Sequence, residues 1–271
     1  MDIKNKMDIK NKVIALIGST GILGSEYVKF LSSKGANVII GDIDLDKCTA
    51  YAADMKRQYK TNPLALHIDL YEEESIRKFF ADSLEYYGKI DSLINNSQVK
   101  PEGFYNSFEN YTKKTLMRVL EGNTVGMALS CQEACKIFLK QGYGNIVNIA
   151  SIYGITGADQ RLYDGVENIY NSNEPFSSPI SYAASKAGVV SMTKYLASYY
   201  REKKIRVNCL TPGGVYDNHD ESFNKNYSTR TLLGRMANRD EYNGAILYLV
   251  SESSSYMTGA NLVVDGGWTA F

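Results

Sequence analysis

Histidine is nearly absent from this 271-residue chain, which has only His67 and His219. That scarcity excludes much chemistry, because a serine-hydrolase triad or a histidine-rich zinc site is hard to assemble from two imidazoles so far apart. His67 falls in a predicted strand and reads as a buried structural side chain. His219, between Asn218 and Asp220, falls in a predicted loop. Net charge is missing too. Thirty Lys and Arg balance thirty Asp and Glu with no long basic block, so neither nucleic acid nor an anionic membrane surface is an expected partner. No apolar run approaches the ~18 residues of a membrane span, and the N-terminus carries no signal-peptide core; a cytoplasmic location is expected. The four cysteines, Cys48, Cys131, Cys135 and Cys209, have no metal-ligand spacing and read as reduced core thiols, and no metal site is expected.

What is present is an ordinary balance of 44% hydrophobic and 22% charged residues, arranged as short apolar runs alternating with helical patterns. The runs are 13–17, 37–40, 64–68, 92–94, 145–149, 205–210 and 261–264. Their near-continuous Val, Ile and Leu content predicts strands covered on both faces. Helical patterns cover 22–34, 46–59, 72–87, 108–140, 181–203 and 239–252. The alternation predicts an α/β fold with a doubly wound, mostly parallel seven-stranded sheet. No Pro-, Gly- or Ser-rich linker divides it, so a single domain over 9–271 is expected. The first twelve residues repeat MDIKNK, too short for a structural repeat, and residues 1 to about 8 are expected to be poorly ordered. Segments 154–180 and 215–235 break the alternation after the fifth and sixth strands. Long loops there, at strand carboxyl ends, are where ligands bind in open α/β sheets.

The first strand leads into Gly18-Ser19-Thr20-Gly21-Ile22-Leu23-Gly24 and then a helix. Glycines there permit a tight turn and let backbone N–H groups approach a pyrophosphate at the helix N-terminus. Eighteen residues after Gly24, Asp42 ends the second strand, where a carboxylate accepts hydrogen bonds from both ribose hydroxyls and repels a 2′-phosphate. NAD is therefore favoured over NADP. Asp44 and Asp46 suit helix capping better than Asp42 does. Asp69, with Leu70 beyond the third strand, fits either an adenine contact or a plain turn. Tyr182 and Lys186, spaced one helical turn apart, form an acid/base pair in which a neighbouring cation favours the phenolate.

In this order, with Asn95-Asn96, Asn123, Asn148-Ile149-Ala150-Ser151, Asn208, Pro212-Gly213 and Val264-Asp265-Gly266-Gly267, the chain resembles the short-chain dehydrogenase/reductase family from Val13 to about Trp268. The resemblance implies a Rossmann fold and an NAD(P)-dependent oxidoreductase interconverting an alcohol and a ketone. It implies a catalytic tetrad of Asn123, Ser151, Tyr182 and Lys186. Tyr182 would exchange the proton, Lys186 would hold the nicotinamide ribose and lower the phenol pKa, Ser151 would orient the substrate oxygen, and Asn123 would hold a relay water. The implied cofactor contacts are Gly18, Thr20, Gly21, Ile22, Leu23, Gly24, Asp42, Asp69, Leu70, Asn96, Tyr182, Lys186, Pro212, Gly213 and Val215. A homotetramer or dimer is also implied.

Three departures from the family pattern stand out. The glycine spacing is GxxGxxG, the habit of sugar-nucleotide epimerases and dehydratases rather than of the single-domain branch, which has GxxxGxG. The NNAG turn becomes Asn95-Asn96-Ser97-Gln98. Ser151 and Tyr182 stand 31 positions apart, so an insertion of about 18 residues over 154–180 is expected to arch over the active site. Substrate-contact candidates are Ser97, Tyr153, Tyr163 and Tyr216. With Asn171, Asn173, Asn218, Arg161 and Arg230 they suit a sugar, sugar phosphate or nucleotide sugar, since buried hydroxyls need partners and guanidinium binds phosphate. The tail 211–218 and the insertion also resemble dehydrogenases of flagellin-glycan and nonulosonic-acid pathways. An epimerase or dehydratase using bound NAD, or a non-catalytic nucleotide-binding protein of the same fold, are the alternative readings.

Overall fold

The structure, a computed structural model, describes residues 3–170, 172 and 174–271; Asn171 and Asn173 of the insertion lie outside the described residues. A short helix α1 (Ile3–Lys6) precedes β1 (Val13–Ile17), and α2 (Ile22–Ser33) and β2 (Asn37–Asp42) follow. Next come α3 (Leu45–Tyr59), β3 (Leu64–His67), α4 (Glu73–Tyr87) and β4 (Ser92–Asn95). The second half holds α5 (Lys113–Leu120), α6 (Met127–Gln141), β5 (Gly144–Ile149), α7 (Ile180–Tyr199), β6 (Ile205–Pro212), α8 (Glu221–Ser228), α9 (Asn243–Val250) and β7 (Asn261–Val264). The seven strands form one sheet in the order β3-β2-β1-β4-β5-β6-β7. Every pairing is parallel.

The period-2 geometry of a strand splits its apolar side chains between two layers. From β1, Ile14 and Leu16 join one core with Val38, Ile40 and Val147, packed under α2 and α9. Val13, Ala15 and Ile17 join the other with Ile39, Leu93 and Val207, packed under α4 and α6. All five β1 side chains are buried, which explains why the apolar run is continuous. The four cysteines are buried and unbridged.

Three differences from the sequence reading have local causes. His67 is exposed, not buried, because β3 is the edge strand and its last side chain faces out. The single helix expected over 108–140 is broken into a 3₁₀ turn (Phe108–Asn110), α5, a π-helical turn (Glu121–Gly126) and α6. The wider π turn lets Gly126 sit against the Leu70 carbonyl, 2.4 Å from where a Cβ would stand. The loop expected at 215–235 contains α8, begun by Asp220, whose carboxylate accepts from the Ser222 and Phe223 N–H groups.

Candidate active site

The sheet order reverses at β1, whose neighbours β2 and β4 lead away in opposite directions. Chain leaving the carboxyl ends on either side diverges there and opens a crevice. It is a cleft of about 620 Å³. On the β1–β2 side its wall is the glycine turn. Gly18 adopts φ +80°, and a Cβ on it would stand 2.6 Å from Ser97. Gly24 is not on the cleft wall but beneath the turn, where a Cβ would meet the Gly18 carbonyl at 2.0 Å. Its role is to let α2 pack close to the loop. The Asn96 amide donates to that carbonyl at 2.8 Å, while Asn95 donates to Asn148 Oδ1 at 2.9 Å and cross-links β4 to β5.

Whether a dinucleotide fits is decided by the groups left over. No side chain caps α2, so the first-turn N–H groups are free to meet an anion. One Asp42 oxygen accepts from the Thr20 N–H at 2.9 Å and the other from the Ile43 N–H at 2.8 Å. A carboxylate retains further lone pairs, so Asp42 both fixes the turn and stays able to accept ribose hydroxyls. Lys47 is tied to Asp44 at 2.8 Å. Asp44 caps α3. Asp69 accepts from the Tyr71 N–H at 2.9 Å, a turn role, and also lines the cleft. The residues present fit the group.

On the β5–β6 side, Ser151, Tyr182 and Lys186 line the same cleft, with Pro212, Gly213 and Val215 beside them. The Ser151 hydroxyl is near enough to the Tyr182 phenol to lower its pKa. Lys186 Nζ donates to the Ile149 carbonyl at 2.9 Å and stands 5.9 Å from the Tyr182 ring centroid. Burial pulls the ammonium down to about 8. It pushes the phenol up, against the effect of Ser151. Burial is the largest influence on the phenol, and Lys186, whose ammonium donates to the Ile149 carbonyl, is not among the groups that lower it. Asn123 lies in the π turn, buried behind the wall, its Oδ1 accepting from the Val99 N–H at 2.7 Å. Its Nδ2 has no protein partner, which suits a bound water.

The substrate candidates divide. Ser97, Tyr153 and Tyr163 line the cleft. Tyr216 does not; it lines a separate depression with Glu26 and Lys29, because its backbone pairs with Ala237 and carries the side chain away. Arg161 and Arg230 are also turned aside. Both pair with Asp159, at 2.7 and 3.3 Å, so neither guanidinium is offered to a substrate. The sequence reading missed Lys100, Tyr105, Phe223 and Tyr227, which come from segments without a motif. Tyr227 stacks on Trp268 at 4.5 Å and hydrogen-bonds the Gly214 N–H. Among the described residues, no group of three or more metal-ligating side chains is placed to hold a metal, and no helix is long and apolar enough to cross a membrane.

A doubly wound parallel sheet with a crevice at its switch point defines the class: an α/β fold of the nucleotide-binding kind. The chain belongs to the short-chain dehydrogenase family. The family described as short chain dehydrogenase matches residues 12–163, and one described as Enoyl-(Acyl carrier protein) reductase matches 168–269. It is 28% identical over 96% of its length to 99% of post-translational flagellin modification protein A from Campylobacter coli. It is 31% identical to trans-4-hydroxycyclohexanecarboxylate dehydrogenase from Sinomonas cyclohexanicum, covering 97% of this chain and 94% of that protein. The crystal structure of a short chain dehydrogenase from Leptospira borgpetersenii serovar Hardjo-bovis with bound NAD+ is similar at TM-score 0.85. It is 33% identical, and the match covers 99% of this chain and 97% of that one. The family binds NAD(H) or NADP(H).

Proposed function

We propose that this protein is an NAD-dependent dehydrogenase that interconverts a secondary alcohol and a ketone on a sugar-like ring, as a cytoplasmic homo-oligomer. The observation that carries the reading is the meeting of Tyr182, Ser151 and Lys186 in one cleft with an uncapped helix and Asp42. NAD, when bound, supplies the hydride acceptor and, once reduced, the donor.

The chain's own residues do the rest. Asp42 and the α2 amides hold the adenosine ribose and pyrophosphate. Ser151 donates to the substrate oxygen and orients it toward Tyr182. Tyr182 takes the proton of the alcohol, or returns it to the ketone. Its raised pKa opposes phenolate formation, so Lys186 must act with the positive charge of oxidised nicotinamide to favour it. Asn123, through its unpartnered amide, anchors a water behind Lys186 for proton exit. Tyrosines and Gln98 around the cleft suit a hydroxylated ring better than a fatty chain.

A cofactor-reduction screen tests this. Purified protein offered cyclic alcohols, sugars and sugar phosphates should reduce NAD+, with kcat/KM at least about tenfold above that with NADP+ because Asp42 repels the extra phosphate. A preference for NADP+ would overturn the Asp42 assignment.

A further inference from the structure

On its insertion side the cleft opens into a second chamber of about 600 Å³, and the two share Tyr153, Tyr163 and Tyr182. The chamber walls are aromatic. Tyr105 and Tyr170 stack with centroids 4.0 Å apart and planes at 12°. Phe176 closes against Tyr105 at 5.4 Å and Tyr163 at 5.3 Å. The hydroxyls of these rings lie toward one another, Tyr105 toward Tyr170 and Tyr163 toward Tyr153 and Ser178. What the walls offer is therefore ring faces, which suit the C–H face of a saturated ring.

Charge supplies the second half of the argument. Lys100 lines both the cleft and the chamber, so it stands where they join. Among the described residues it makes no ion pair; its ammonium lies 5.7 Å from the Tyr105 ring centroid. Glu167, Asp217 and Asp220 line the chamber with it, but among the described residues none pairs with it: Asp217 is tied to Arg239 and Asp220 caps α8. With Arg161 and Arg230 paired to Asp159, Lys100 is, among the described residues, the lysine or arginine that lines both cleft and chamber.

We infer that the substrate is a cyclic secondary alcohol, or its ketone, that carries an oxyanion, with its ring against the aromatic wall and the carboxylate or phosphate on Lys100. The inference rests on the oxidoreductase reading of the same cleft and adds a charge to its substrate.

The test compares matched pairs: cyclohexanol against 4-hydroxycyclohexanecarboxylate, and glucose against glucuronate and glucose 6-phosphate. The anionic member should win by about tenfold in kcat/KM, the worth of one hydrogen bond to a charged group, and the advantage should shrink as salt is added. Lys100→Met should erase the preference and its salt dependence, Lys100→Arg should keep both, and NADH fluorescence titration should show each variant folded and loaded. A carboxylate-only or phosphate-only preference supports the inference and names the oxyanion. Turnover without charge preference, or a preference that survives Lys100→Met, overturns the inference alone. Failure of every alcohol and ketone overturns the oxidoreductase reading with it.

Discussion

Lys186 keeps its ammonium in the interior with the Ile149 carbonyl as acceptor, and burial lowers its pKa from the ordinary 10.5 to about 8. Below about 8 both folded and unfolded chains carry the proton, and the folded state bears the full cost of the buried charge. Between about 8 and the unfolded value the unfolded chain binds more protons, so stability rises with pH. Lys186→Met removes that cost. It is expected to raise Tm by about 5 °C near pH 7, with the gain shrinking toward pH 10. Thermal unfolding across that range checks it; a gain that does not change with pH would contradict the desolvation argument. At this scale the spacing of Tyr182 and Lys186 was legible because helix periodicity alone puts them on one face. Arg161 and Arg230 were not, since sequence gives no sign that Asp159 binds both.

The turn between β1 and α2 separates two kinds of glycine. A Cβ on Gly24 would lie 2.0 Å from the Gly18 carbonyl, whereas one on Gly21 would meet nothing nearer than 3.8 Å. Gly24→Ala must push α2 off the loop and should cost about 2 kcal/mol of stability. Gly21→Ala should leave unfolding nearly unchanged and weaken NADH binding instead, because Gly21 lines the cleft. Chemical denaturation and NADH titration on both variants separate the roles; equal stability losses would refute the assignment. Elements with long apolar runs were readable to within a residue or two, as β1 and β7 illustrate. The break in the 108–140 helix was not, because one π turn leaves an apolar periodicity that still reads as continuous. Polar α8, eight residues long, has too little apolar pattern to distinguish it from loop.

At the level of the whole molecule, topology brings together residues scattered from Gly18 to Val215. The five inner strands, covered on both faces, could be read from composition, whereas the edge strands β3 and β7 are only partly buried despite their apolar runs; the crevice followed from where such sheets bind ligands. How the insertion folds could not, because its aromatic contacts with Tyr105 and Phe223 join segments that carry no common motif. The proposed function depends on Tyr182 moving a proton in a cleft where the β1–α2 turn and Asp42 are assigned the main hold on NADH. The most direct measurement is Tyr182→Phe, with NADH affinity by fluorescence and alcohol oxidation by cofactor reduction on the same preparation. The account predicts affinity within about threefold of the parent and a rate lower by about 10³. A variant that binds NADH and keeps more than about a tenth of the parent rate would contradict it.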